Sequence, residues 1–234
     1  MMNFDVIHIA ETDSTNHWLR NHSSDEDMVV WTDYQTEGRG CGTNTWESER
    51  GKNLTCSILI HPLGLEARQQ FSVSMAASLA VVDALADYTD GLSIKWPNDI
   101  YWHDRKICGI LIENRLTGGT IKDSIIGIGV NVNQAQFVSD APNPVSLRQI
   151  LGHEVDREQL LTKILHHLTL PPDAARYRAL LYRREGIHPY SDASGAFEAS
   201  LVNVEDDGHL LLKDTNGQLR RYAFKEVAFL GITE

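Results

Sequence analysis

The sequence lacks the features that would commit the chain to a membrane, a nucleic acid or an oxidising compartment. No apolar run approaches the ~20 residues that a membrane-spanning helix needs. The start, Met1-Met2-Asn3-Phe4-Asp5-Val6-Ile7-His8, has no basic segment leading into an apolar core, so it does not read as a secretory signal. Positive charge is scarce: 21 Lys and Arg stand against 32 Asp and Glu, for a net charge of −11. Such a chain is repelled by phosphate backbones, and no basic stripe offsets the repulsion; no nucleic-acid partner and no membrane is expected. Cysteine is limited to Cys41, Cys56 and Cys108, an odd number at wide spacing without metal-type pairing. Free thiols in a reducing compartment follow, and with them a cytoplasmic location. Repeats and low-complexity tracts are also absent. What is present, 234 residues with 42% hydrophobic content, suffices for one large and one small domain.

Periodicity divides the chain. Phe4 to Ile9, Met28 to Tyr34 and Leu54 to Ile60 read as strands, and Ser14-Thr15-Asn16 opens a short helix with good N-cap residues. Arg68 to Tyr88 is the clearest helix, with Phe71, Met75, Leu79, Val82 and Leu85 at helical spacing. Ser93 to Trp96, Asp99 to Trp102, Lys106 to Arg115 and Ser124 to Val132 are strands separated by the turn formers Pro97-Asn98, His103-Asp104 and Gly118-Gly119. This is an antiparallel meander rather than alternating strand and helix. Helical patterns return over Arg157 to Leu168 and Ala174 to Arg184, divided by Pro171-Pro172. The end of the chain turns to short strands, Phe197 to Val204, Leu210 to Lys213 and Leu219 to Ala223, with Asn216-Gly217 as a hairpin signal. The expected class is α+β: a mixed or antiparallel sheet domain over residues 1–188 and a small SH3-like barrel over residues 189–234.

Three segments carry polar chemistry. In Gly38-Arg39-Gly40-Cys41-Gly42, glycines let backbone amides approach an anion and the arginine adds a forked cationic donor. A bare Gly-x-Gly also suits a surface turn, and the spacing is neither a Walker loop nor a dinucleotide fingerprint. Lys95-Trp96-Pro97-Asn98-Asp99, followed by Lys106-Ile107-Cys108-Gly109-Ile110-Leu111, sets two lysines, an asparagine and an aspartate beside an aromatic. In Gly127-Ile128-Gly129-Val130-Asn131, alternate glycines in a strand mark close approach by a ligand or by another backbone.

The order of these segments is what makes them specific. Ser14-Thr15-Asn16, Gln35 before Gly38-Arg39-Gly40, Trp46, Lys95 to Asp99, Lys106 before Gly109-Ile110-Leu111, and Gly127-x-Gly129-x-Asn131 together resemble the biotin–protein ligase family from about Phe4 to Asn133. The resemblance implies a class II synthetase-like catalytic domain of the biotin/lipoate ligase type. It also implies that biotin and ATP are condensed to biotinyl-adenylate, with Mg²⁺ as the metal, before biotin passes to a lysine of a biotin carboxyl carrier protein or domain of a carboxylase. By the same resemblance Ser14, Thr15 and Gln35 surround the ureido ring, with Asn16 orienting that group. Gly38, Arg39, Gly40 and Cys41 form a loop over the ligand, and Gly109, Leu111, Gly127 and Gly129 line the biotin site. Lys106 is the cation for carboxylate and α-phosphate, with Arg39 a second. Trp46, Asn98 and Asn131 serve the nucleotide, and Lys95 supports them. Two roles are open to Asp99: holding Mg²⁺ or orienting Lys106.

The chain departs from many members of that family at one point. Cys41 stands where a second arginine is common, and a thiol does not replace a guanidinium on a phosphate. Lys213, Arg220 and Arg221 in the barrel are further candidate cations for ATP or an acceptor protein, their facing not fixed by the sequence, and an edge of the meander is a candidate homodimer surface. The alternative activity is a lipoate or octanoate ligase or transferase. Against it stand the missing double-arginine, triple-glycine segment and the tryptophan-bearing Lys95-to-Asp99 segment. A non-catalytic binding module would not need both Lys106 and Arg39.

Overall fold

The computed structural model describes residues 4–22, 24–42, 44–138 and 143–231; the readings of Met1-Met2-Asn3 and of Thr43 fall outside these. The first part of the chain runs β1 (Asp5–Ile9), α1 (Thr15–Asn21), β2 (Met28–Thr32), β3 (Leu54–Ile60), α2 (Phe71–Ala86), β4 (Leu92–Lys95), β5 (Asp99–Trp102), β6 (Arg105–Thr117), β7 (Thr120–Val130), α3 (Leu147–Leu151), α4 (Arg157–Leu168) and α5 (Ala174–Ala179). Its seven strands form one sheet in the order β1-β2-β3-β7-β6-β5-β4. Only β1 and β2 are parallel, and β4 to β7 are the expected meander.

Strand alternation gives this sheet two different faces. Cys56, Ile58, Ile110, Ile126, Ile128 and Val130 point one way and pack with α2 and α4 in the main core. Helix α2 is buried on nearly every side, because the sheet lies under it and α4 and α5 cover it. Thr55, Ser57, Gly109, Leu111, Gly127 and Gly129 fall on the opposite face. There α1 covers only one end, through Leu19 against Val30, Leu59 and Ile125. The rest of that face is open to a ligand.

A second, antiparallel sheet follows, in the order β11-β10-β9-β8-β12: β8 (His188–Asp192), β9 (Gly195–Val204), β10 (Leu210–Asp214), β11 (Leu219–Tyr222) and β12 (Ala228–Phe229). It has five strands where the sequence marked three. Its core residues Tyr190, Leu201, Leu210, Leu212 and Tyr222 are continuous with those of the main core. Trp96 ties the sheets together, donating from its indole to Gly208 O at 2.9 Å and meeting Phe224 edge-on.

Among the boundaries that differ from expectation, two do so for a shared reason: backbone groups found other partners. The helix read over Ala174 to Arg184 stops at Ala179, because the next residues pair with β4. Ile94 N donates to Leu180 O, and Tyr182 N donates to Ile94 O. This capture pairs the outer edge of the meander at Ile94. Strand β2 ends at Thr32, where the Thr32 hydroxyl bonds both the N–H and the C=O of Tyr34.

Tyr177 connects this framework to the turn after β4. Its side chain is fully buried, and its hydroxyl donates to Pro97 O at 2.8 Å. Tyr177→Phe leaves that carbonyl without its partner. It is expected to lower unfolding free energy by ~1–2 kcal/mol, read as a fall in Tm of about 2–8 °C.

Candidate active site

The open face of the first sheet is floored by a patch with almost no side chains. Register places Thr55, Gly129 and Gly109 in one row across β3, β7 and β6, and Ser57, Gly127 and Leu111 in the next. A Cβ on Gly129 would lie 2.4 Å from the indole of Trp46, and one on Gly127 would lie 2.3 Å from Asn16 Oδ1. The glycines are therefore required by what lies on them. Above this floor is a cavity of about 980 Å³, within the size range of small-molecule sites.

Over Gly127 the cavity wall is polar and uncharged. Gln35 Oε1 accepts from Thr15 N at 2.9 Å and from the Thr15 hydroxyl at 3.1 Å. The Ser57 hydroxyl lies 2.7 Å from Thr15 Oγ1 and 2.6 Å from Asn16 Oδ1. Asn16 Nδ2 donates to Glu113 Oε2 at 3.2 Å, so Asn16 is fixed between two strands. Ser14 is buried, lines the cavity and caps no amide of α1. Ser57 and Glu113 were not legible as site residues, since each bonds a partner more than forty positions away.

Over Gly109 and Gly129 the wall becomes cationic. Pairing in the meander skips a residue, with Ile100 opposite Cys108 and Tyr101 opposite Lys106. This bulge at Ile107 turns Lys106 onto the glycine face. Asp99 then accepts from its ammonium at 2.8 Å. This contact is the one that orienting Lys106 requires. Backbone bonds from Lys106 N to Asn143 O and from Val145 N to Lys106 O hold the bulge from outside. Asn131 donates to Lys106 O at 3.4 Å, and Asn98 to Ile110 O at 2.6 Å.

Lys95 is largely enclosed, 5.5 Å from the ring centre of Tyr101 and 5.2 Å from that of Phe229, a residue of the second sheet. Burial lowers its pKa, Asp99 works against that, and the charges of Lys106 and Arg183 add to the lowering. Trp46 lies flat on the glycines. Its Nε1 is buried against Gly129 and has no hydrogen-bond partner among the described residues.

The glycine loop folds back as a small hairpin, with Trp46 N donating to Gly38 O and Gly40 N to Asn44 O. Arg39 on this loop is more than half exposed and pairs loosely with Glu37 at 3.6 Å. An exposed pair of this kind is worth little, so the guanidinium is readily exchanged to an anion. Gly38 does not line the cavity; a Cβ there would strike Trp46 O at 2.6 Å, so it serves the hairpin. The other predicted residues, Ser14, Thr15, Asn16, Gln35, Arg39, Gly40, Cys41, Trp46, Lys95, Asn98, Asp99, Lys106, Gly109, Leu111, Gly127, Gly129 and Asn131, all line it.

The second sheet closes the far side with Phe224, Lys225, Val227, Ala228 and Phe229, none of which the sequence marked. The barrel cations it did mark are absent from the wall. Arg220 pairs with Asp192 and Asp214, and Arg221 with Glu205 and Asp207. Cys56 and Cys108 are buried thiols whose pKa values burial raises, to about 12 for Cys56. They are structural. Glu47, read from sequence as part of a solvated loop, instead accepts from Gln134 Nε2 at 2.8 Å and from Val138 N at 3.0 Å.

As for a divalent cation, Mg²⁺ is commonly held by one or two carboxylates plus substrate phosphates. Asp99 suits that mode, having one oxygen on Lys106 and the other not engaged by it. Among the described residues the one cluster of metal-type ligands, Glu205, Asp207 and His209, lies outside the cavity wall and is already charge-paired with Arg221. No helix among the described residues is long and apolar enough to cross a membrane.

This sheet order with a glycine-floored, cation-rimmed cavity is the fold of biotin and lipoate protein ligases. The chain superposes with TM-score 0.80 and 25% identity on the biotin protein ligase from Aquifex aeolicus in complex with biotin and ATP, covering 96% of this chain and 97% of that one. It belongs to the biotin/lipoate A/B protein ligase family, whose model matches residues 7–131. Relatives include the biotin–[acetyl-CoA-carboxylase] ligase of Paracoccus denitrificans, 33% identical over 184 residues that span 74% of this chain and 72% of that protein. The bifunctional ligase/repressor BirA of Bacillus subtilis is 29% identical over 92% of this chain and 70% of its own length.

Two outcomes test this geometry. Gly129→Ala is expected to unseat the Trp46 indole, changing near-UV circular dichroism while far-UV dichroism is kept, at a cost of ~1–3 kcal/mol. For Lys95 the folded pKa lies below the unfolded value. Between the two the unfolded state binds more protons, so stability rises as pH approaches 10.5 from below. Lys95→Met is expected to be more stable than wild type near pH 7 and to lose that share of the alkaline gain, measured by denaturation at a series of pH values.

Proposed function

We propose that this chain is an ATP-dependent biotin–protein ligase. Biotin is activated as biotinyl-5′-AMP and then joined to a lysine of a carboxyl carrier protein or domain. The single observation that carries the reading is Lys106. It is aimed by a bulge at a side-chain-free floor, and the wall changes there from neutral donors and acceptors to cations. A carboxylic acid with a urea-type head needs that sequence of environments.

The reading as a mechanism starts from repulsion. The biotin carboxylate attacks the α-phosphate, the bond to pyrophosphate breaks, and two anions must be brought together. Lys106 between them offsets the repulsion and follows the charge that develops. Asp99 keeps the lysine in place before the substrates arrive, so little reorganisation is needed at reaction. Thr15 and Gln35, fixed by Ser57 and Asn16, hold the ureido ring, and Ser14 adds a hydroxyl. The Trp46 indole and Asn131 serve the nucleotide. Asp99 would hold Mg²⁺ together with the ATP phosphates, and the ion would supply charge neutralisation there. The glycine loop with Arg39 covers the mixed anhydride and keeps water from it. The carrier amine then attacks the acyl carbon and AMP leaves.

Biotin is favoured over lipoate or octanoate by the hydroxyl and amide cluster over Gly127, since a plain acyl chain offers that polar wall no hydrogen-bonding group. Three free cysteines and the absence of a spanning helix among the described residues support a cytoplasmic site of action.

Biotin-dependent exchange of labelled pyrophosphate into ATP, run with Mg²⁺, tests the reading. Wild type is expected to exchange, and Lys106→Ala to lose ~10²–10³ in rate, corresponding to the ~3–4 kcal/mol of one aimed donor. Exchange with octanoate but not with biotin would move the chain to the lipoyl branch.

A further inference from the structure

The second sheet sends one side chain into the first sheet's glycine loop, and neither the motifs nor the loop itself predicted it. Lys225 sits in the turn between β11 and β12 with φ of +71°, a left-handed conformation that a lysine rarely adopts. Its ammonium hangs over the tip of the loop: a Cβ on Gly42 would lie 2.7 Å from Lys225 Nζ. No ion pair to Lys225 is present among the described residues, and its nearest ring contact is Phe224 at 5.7 Å. Lys225, Arg39 and Cys41 line one rim of the same cavity. A strained, unpaired cation on an acidic chain, delivered from a separate sheet onto a loop of open backbone, calls for an anionic partner.

Resting on the ligase reading above, we infer that Lys225 is a phosphate-binding residue of this site, supplied by the second sheet to the β- and γ-phosphates of ATP and to the pyrophosphate that leaves. Lys106 holds the inner position, over the glycine floor. In an in-line displacement the leaving group points away from the attacking carboxylate, which takes it out toward the rim where Lys225 and Arg39 stand. An ammonium acts there as a point charge that tolerates variable geometry, as a departing pyrophosphate requires. The neighbouring Cys41 contributes no charge, so Lys225 carries the second positive charge of the rim beside Arg39.

The test is pyrophosphate exchange by the full chain, with KM resolved separately for ATP, pyrophosphate and biotin. The variants are Lys225→Gly, Lys225→Arg, and Lys225→Gly combined with Cys41→Arg. Glycine accepts the left-handed turn, so Lys225→Gly is expected to keep or raise Tm, which separates charge from folding. Its KM for ATP and for pyrophosphate is expected to rise about tenfold, as for loss of one charged hydrogen bond, with KM for biotin unchanged. Lys225→Arg is expected to stay near wild type, and Cys41→Arg is expected to recover most of the loss from the other side of the rim. An unchanged KM for ATP in Lys225→Gly, an equal rise for biotin, or no recovery by Cys41→Arg overturns the assignment. A wild type that shows no exchange would sink the ligase reading and this assignment with it.

Discussion

The close approach of Trp46 and Asn16 to the backbone of β6 and β7 is the constraint on which the rest of the site depends. Side chains cannot stand between these residues and the sheet, so positions 109, 127 and 129 are glycine. Because the floor is bare, the cavity has its depth. Because it has depth, cations held at its rim act on a ligand from above rather than from the side. The opposite face of the same strands is packed with isoleucine and valine against α2 and α4, which gives the glycine patch a rigid backing. A flexible glycine-rich surface would otherwise cost conformational entropy on every binding event.

Charge is arranged with similar economy. The chain carries net charge −11, yet Lys106, Lys95, Arg39 and Lys225 all line one cavity. Asp99 is the acidic partner of Lys106 there, and Arg39 pairs with the exposed Glu37. Part of the acidic surface elsewhere is paired, as Glu205 and Asp207 are with Arg221. The result is a localised positive site on a negative molecule, which suits an anionic nucleotide without inviting nucleic acid.

Much of this was legible in the sequence, for physical reasons that can be named. Helix α2 was visible because its apolar residues recur at helical spacing, and the meander because turn formers punctuate it. The cavity residues were visible through the order of short motifs, not through any one of them. What could not be read were partners set by tertiary folding. Ser57 lies in a strand buried along its whole length and gives no polar pattern, yet its hydroxyl joins Thr15 to Asn16. The bulge at Ile107 that aims Lys106 depends on pairing with β5 and on a backbone clasp from Asn143 to Val145. Strand β8 was missed because Pro189 interrupts its pattern, a residue tolerated within a short strand of this kind. Lys225 was overlooked because a turn lysine carries no signal until the two sheets are in contact.

Under the proposed function the neutral, hydroxyl-lined end of the cavity selects a urea-headed acid and the cationic end activates it. The most direct measurement is the intact mass of an apo carrier domain after incubation with the chain, MgATP and an equimolar mixture of biotin and octanoate. A single biotinyl adduct on the carrier lysine, formed only with ATP present, is expected. An octanoyl adduct in comparable or greater amount, or transfer without ATP, would contradict it.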